Sequence, residues 1–90
     1  MNREAEMADW PDWWTWELEL SPHLLKRMID RDFNEADLRL MLERASGYHE
    51  NHEEGRWVII TSHSGRTWNI VVEPLSEESV LVVVTAYPVG

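Results

Sequence analysis

The chain has no cysteine, which excludes a disulfide framework, a zinc-cysteine site and a thiol nucleophile. Stability has to come from packing, and any chemistry from histidine, arginine, carboxylates and hydroxyls. Positive charge is scarce as well: 8 Lys and Arg stand against 17 Asp and Glu, a formal net charge of -9. The bulk positive field of a nonspecific nucleic-acid binder is therefore missing, and any RNA contact would need a local arginine cluster. The longest apolar run, Val80 to Val84, falls far short of the ~20 residues of a membrane span. The charged N-terminus lacks the basic-then-apolar pattern of a signal peptide, so a cytoplasmic location with no membrane partner is expected. A glycine-rich phosphate loop, a Gly-x-Ser-x-Gly elbow, internal repeats and low-complexity stretches are also absent from the sequence.

What remains is 90 residues, 43% of them hydrophobic, enough for one core. Folding at this length buries roughly 60–65% of the unfolded chain's surface. The acidity is uneven. Residues 1–20 carry Arg3 against Glu4, Glu6, Asp9, Asp12, Glu17 and Glu19. Residues 1–13 read as an acidic, tryptophan-containing tail, its first nine positions without an apolar period, and residues 14–90 as a single domain.

Trp14, Trp16, Leu18 and Leu20 alternate with polar residues, the period of a half-buried strand at about 14–20. Two helix starts follow. Ser21 is an N-cap with Pro22 at the first helical position and Leu20 and Leu25 as a hydrophobic staple, giving a helix at about 22–31. Asn34 and Asp37 form a short capping box, and Leu38, Met41, Leu42 and Ala45 recur at helical spacing up to Gly47, giving a helix at about 35–45. Three β-branched runs complete the chain: Trp57 to Thr61, Thr67 to Val72 and Val80 to Thr85. Ser64-Gly65 reads as a tight hairpin turn and Pro74 to Ser79 as a longer one. The nearly all-valine last strand is expected to be covered on both faces. The fold class is α+β in the order β-α-α-β-β-β, with two helices on one face of an antiparallel sheet and the first strand at an edge.

Three groups of residues could carry chemistry. His23, Arg27 and Arg31 are spaced i, i+4, i+8 along one edge of the first helix's apolar stripe, where a candidate base would stand beside two anion ligands. The plain structural alternative is a wet helix flank with Asp30 and Asp32 pairing the arginines. With Ser64-Gly65 as the turn, His63 faces Arg66 and Thr61 faces Trp68, a patch able to hold a base and a phosphate. Its structural alternative is an ordinary hairpin tip with Trp68 in the core. His49 and His52 invite a metal reading, but i, i+3 ligand spacing belongs on a helix and this stretch reads as a loop or hairpin end. Trp10 and Trp13 read as more exposed than Trp14 and Trp16, fit for covering the end of the sheet or meeting a protein partner.

Ser21-Pro22-His23-x-x-x-Arg27-Met28-x-x-Arg31, the Arg56-Trp57 entry to a strand, Gly65-Arg66-x-Trp68-x-Ile70-Val71-Val72 and the closing Val83-Val84-Thr85-Ala86-Tyr87 carry a resemblance. Over about residues 14–89 the chain resembles a bacterial domain family of unknown function grouped with BrnT-like and RelE-like toxins in the barnase, EndoU, colicin and RelE ribonuclease fold. The resemblance implies a metal-independent endoribonuclease, without a cofactor, often one half of a toxin and antitoxin pair. By position it transfers roles to His23, Arg27, Arg31, Arg56, Arg66, Thr85 and Tyr87.

Cleavage without metal uses the ribose 2′-hydroxyl as nucleophile and needs a base, cations at phosphorus and an acid for the leaving oxygen. The expected assignment is His23 as base or acid, Arg27, Arg31 and Arg66 as phosphate ligands, and Thr85 or Tyr87 as a positioning hydroxyl. Arg56, His63 and Trp68 would hold substrate. Candidate partners are then RNA and a cognate antitoxin or other protein, with a homodimer favoured over a monomer. The competing expectation, which the acidity favours, is a non-catalytic module that docks a partner through its sheet face and tryptophan-rich N-terminus. A catalyst should gather His23, Arg27 and Arg66 in one pocket. A binder can splay them apart and pair each with a carboxylate.

Overall fold

A computed structural model describes residues 10–89. A 3-10 turn (Asp12–Thr15) leads into β1 (Glu17–Leu20), α1 (Pro22–Asp30), α2 (Glu35–Glu43), β2 (Gly47–Glu50), β3 (Trp57–His63), β4 (Arg66–Leu75) and β5 (Val80–Val89). The strands form one mixed sheet in the order β1-β5-β4-β3-β2, giving an α+β fold.

Local chemistry fixes the helix starts. The Leu24 N–H donates to the Ser21 Oγ at 3.0 Å, and Pro22 opens α1 where a backbone N–H would have no partner. Asn34 and Asp37 close a reciprocal capping box, each backbone N–H donating to the other's side chain at 3.0 and 2.8 Å. Leu24 and Met28 of α1 and Leu38 and Met41 of α2 pack with Ile59, Ile70, Val72, Leu81, Val83 and Ala86 in the core. Burying one such side chain stabilises the fold by ~1.5–3 kcal/mol. The buried Thr61 hydroxyl donates to the Met41 carbonyl, tying β3 to the last turn of α2.

The hairpin between β3 and β4 has the expected register. Ser64 and Gly65 adopt φ of 53° and 76°, the double positive φ that matches the twist of paired strands, and His63 pairs with Arg66 and Thr61 with Trp68. Pro74, expected in a loop, belongs to β4. It lies past the last β3 pair, Trp57 with Val72, and faces only Leu81 of β5, so its missing N–H costs no ladder bond on the β3 side.

Several expectations change. The first strand starts at Glu17, because the Trp14 N–H donates to Pro11 and the Trp16 N–H to Trp13, which coils residues 12–15 despite their period-2 pattern. That strand runs parallel to β5, from Glu17 beside Val80 to Leu20 beside Val83, so the sheet is mixed rather than wholly antiparallel. Gly47–Glu50, in a stretch expected as a loop or hairpin end, forms an additional strand, β2, in a hairpin with β3. Both helices lie on one face of the sheet, so the last strand is covered by them on one side only. Trp13, expected to be among the more exposed rings, is 8% exposed and belongs to the core cluster.

A bulge in β5 determines what the end of the chain presents. Val72 pairs with Val83 but Val71 pairs with Thr85, leaving Val84 as an extra residue. Ser21 holds the irregularity in place: its N–H donates to the Val83 carbonyl at 3.2 Å and its Oγ–H to the Val84 carbonyl at 2.8 Å. The extra residue changes the alternation from Leu81 and Val83 in the core to Ala86 in the core. Thr85 and Tyr87 therefore lie on the face opposite the helices, beside Val71 and Asn69.

Candidate functional site

The α1 row has three different environments. His23 is exposed in the first turn. Arg27 forms an ion pair with Asp30 at 3.0 Å. Arg31, the residue that ends α1, donates through Nη1 to the Ala86 carbonyl at 2.8 Å. That carbonyl lies beyond the last β1 partner, Leu20 with Val83, on a stretch of β5 that pairs only with β4. Arg31 thus supplies a backbone partner that no strand provides. Phe33 meets Trp68 edge-on at 5.2 Å, which sets the C-terminal end of α1 over the hairpin end of the sheet. His23 precedes Arg31 by two helical turns, about 12 Å along the axis.

The hairpin patch is built as expected in register and differs in accessibility. His63, Arg66 and Trp68 share the helix-side face. Trp68 is only 5% exposed, enclosed by Phe33 and by His63, which meets it edge-on at 5.5 Å. So little of the ring is open that it is not a platform for an incoming base. Its Nε1–H has no hydrogen-bond partner among the described residues. Arg66 is exposed at the tip.

Arg56 is held twice by carboxylates, with Nη1 2.7 Å from Glu53 and Nε 3.2 Å from Glu73. Thr85 and Tyr87 lie across the sheet from His63, Arg66 and Trp68. His49 sits on edge strand β2 and His52 beyond its end, and no three His, Asp or Glu side chains converge as a metal site among the described residues.

Apolar clefts lie elsewhere. Trp10 stacks between Trp14 at 4.3 Å and Tyr48 at 5.2 Å, while Trp13 contacts Tyr48 at 5.9 Å and Trp57 at 5.8 Å. This aromatic group joins the segment before β1 to β2 and β3. Beside it, one cleft lined by Trp10, Pro11, Trp14, Leu42 and Glu43 continues into another lined by Trp14, Leu18, Leu42, Glu43 and Leu81. Sequence reasoning singled out the tryptophans but missed Leu42 and Glu43, which come from α2 and meet Trp14 only through the tertiary fold. A third apolar cleft runs between Leu20, Leu25, Ile29 and Phe33, with Ile29 83% exposed. None of these three clefts is lined by His23, Arg27 or Arg66.

No curated protein and no solved structure matches the chain. A model of a domain family of unknown function matches residues 20–88, the span from the end of β1 to nearly the end of β5. The chain belongs to that family, DUF4258.

Proposed function

We propose that this chain is a non-catalytic member of the BrnT-like and RelE-like group, a binding module that docks a protein partner. The observation that carries the reading is the dispersal of the side chains a ribonuclease would have to gather. Arg27 and Arg56 are neutralised by carboxylates, and Arg31 holds a backbone carbonyl. Thr85 and Tyr87 face away from Arg66 and His63. A metal-free cleavage site needs a proton carrier and several cations around a single phosphorus atom. The net charge of -9 opposes RNA at every approach that lacks a local cluster. Support for docking comes from the tryptophan-lined clefts and from Ile60 and Tyr87, half-buried on the sheet face without helices.

The endoribonuclease reading keeps one observation in its favour. From Arg56 to Val72 the chain has no carboxylate, while it carries Arg66, His63 and the hydroxyls of Ser62, Ser64 and Thr67. Inducible expression in a bacterial host separates the two readings through growth and RNA integrity. The binding reading predicts intact RNA and equal growth for the native chain and for His23→Ala. RNA decay that disappears in His23→Ala would establish the ribonuclease instead.

A further inference from the structure

The groove beside Trp14 has a chemistry of its own. One wall is Trp10, Pro11 and Trp14; the other is Leu42 and Glu43 from α2, and Leu18 and Leu81 extend the floor. Indole faces attract cations because the ring quadrupole is negative over its face, and Glu43 is an exposed carboxylate lining both connected clefts. Among the described residues, neither of the arginines near Glu43 in the chain opposes this. Arg39 is held by Glu35 at 2.9 Å, and Arg44 lies about 160° around the helix from Leu42. Asp12, exposed in the turn that carries Trp14 into the groove wall, adds to the negative field. An anion would be repelled here, and a purely apolar segment would leave Glu43 without a counter-charge.

We infer that this groove binds a basic segment of a partner polypeptide, seating an arginine or lysine side chain against Trp14, which Trp10 backs, with Glu43 as its counter-ion and flanking apolar residues on Leu18, Leu42 and Leu81. The inference rests on the binding-module reading and adds the site and the charge of the partner. Arginine suits the groove better than lysine, since its planar guanidinium stacks on an indole while still donating to a carboxylate. The interaction weakens with salt, because the groove is open to solvent and its charges are screened.

The experiment uses the full chain, labelled with ¹⁵N, titrated with a capped peptide alternating arginine and leucine and with its glutamate counterpart. The indole N–H resonances of the six tryptophans report position. The expected result is saturable movement of the Trp10 and Trp14 signals with the arginine peptide, stillness of the buried Trp68 signal, and no response to the glutamate peptide. Glu43→Gln should weaken binding by about 2- to 5-fold and flatten its salt dependence. Trp14→Phe should weaken it by roughly 2- to 10-fold while keeping an aromatic ring for packing.

Equal binding of both peptides, or arginine-peptide binding that neither variant alters, overturns the groove assignment and leaves the binding-module reading standing. No movement at millimolar peptide also overturns it. A single-stranded RNA oligonucleotide added in a parallel arm should leave all six indoles unmoved. If RNA moves Trp10 and Trp14 instead, both the inference and the reading beneath it fail.

Discussion

Arg31 discriminates most sharply between a structural and a ligand-binding use of the α1 row. Replacing it with methionine keeps an unbranched stem for packing and removes the guanidinium that donates to the Ala86 carbonyl at 2.8 Å. A hydrogen bond from a charged donor contributes ~1.5–3 kcal/mol when buried. This contact is partly buried, at a β5 edge where water can reach the vacated carbonyl, so the lower part of that range applies. The expected loss is about 1–2 kcal/mol. For a domain of 90 residues that lowers the melting temperature by ~4–8 °C per kcal/mol, and it lowers the urea midpoint by roughly 1 M. Circular dichroism during thermal and urea unfolding reads both. If Arg31→Met unfolds at the same temperature and urea concentration as the native chain, the Ala86 contact carries no stability. The guanidinium would then be free for a ligand, and the argument from dispersed cations would lose its strongest element.

Ser21→Ala should lose about 2–3 kcal/mol in the same assay, because one hydroxyl both caps α1 at Leu24 and holds the Val84 carbonyl of the bulge; Ser21→Gly should recover part of the cap but none of the bulge contact. Trp13→Ala should cost about 3–5 kcal/mol, as expected for a large ring removed from a packed cluster, and should disperse the Tyr48 and Trp57 ring resonances toward solvent-like values. An unchanged stability would make the segment before β1 an appendage rather than part of the core.

The parts of the fold that could be read from the sequence are those set by neighbours in the chain. The Ser21 cap, the Asn34 and Asp37 box and the Ser64-Gly65 hairpin are decided within four residues, so their chemistry identifies them. The parallel contact between β1 and β5 joins residues 63 apart in the chain and leaves no local signature. Edge strand β2 is short and half of it is exposed, so Gly47 to Glu50 lacks the alternation that marked the other strands.

For the candidate site, the deciding element was one residue. Reading β5 with an unbroken period of two sets Thr85 and Tyr87 on the same face as Leu81 and Val83. The bulge at Val84 moves them to the other face, and it is held there by Ser21, far away in sequence. Trp68 illustrates a different ambiguity. A tryptophan on the helix-facing side of a hairpin has the same sequence signature whether Phe33 covers it or a nucleotide base does.

The central claim, docking without catalysis, is tested most directly by incubating the purified chain with end-labelled single-stranded RNA and with programmed ribosomes, without divalent metal, and analysing the fragment ends. The account predicts no cleavage above buffer from the native chain, and no difference from His23→Ala or Arg66→Ala. Fragments ending in a 2′,3′-cyclic phosphate, formed at a rate that drops by ~10²–10³-fold in His23→Ala with the fold intact, would contradict it.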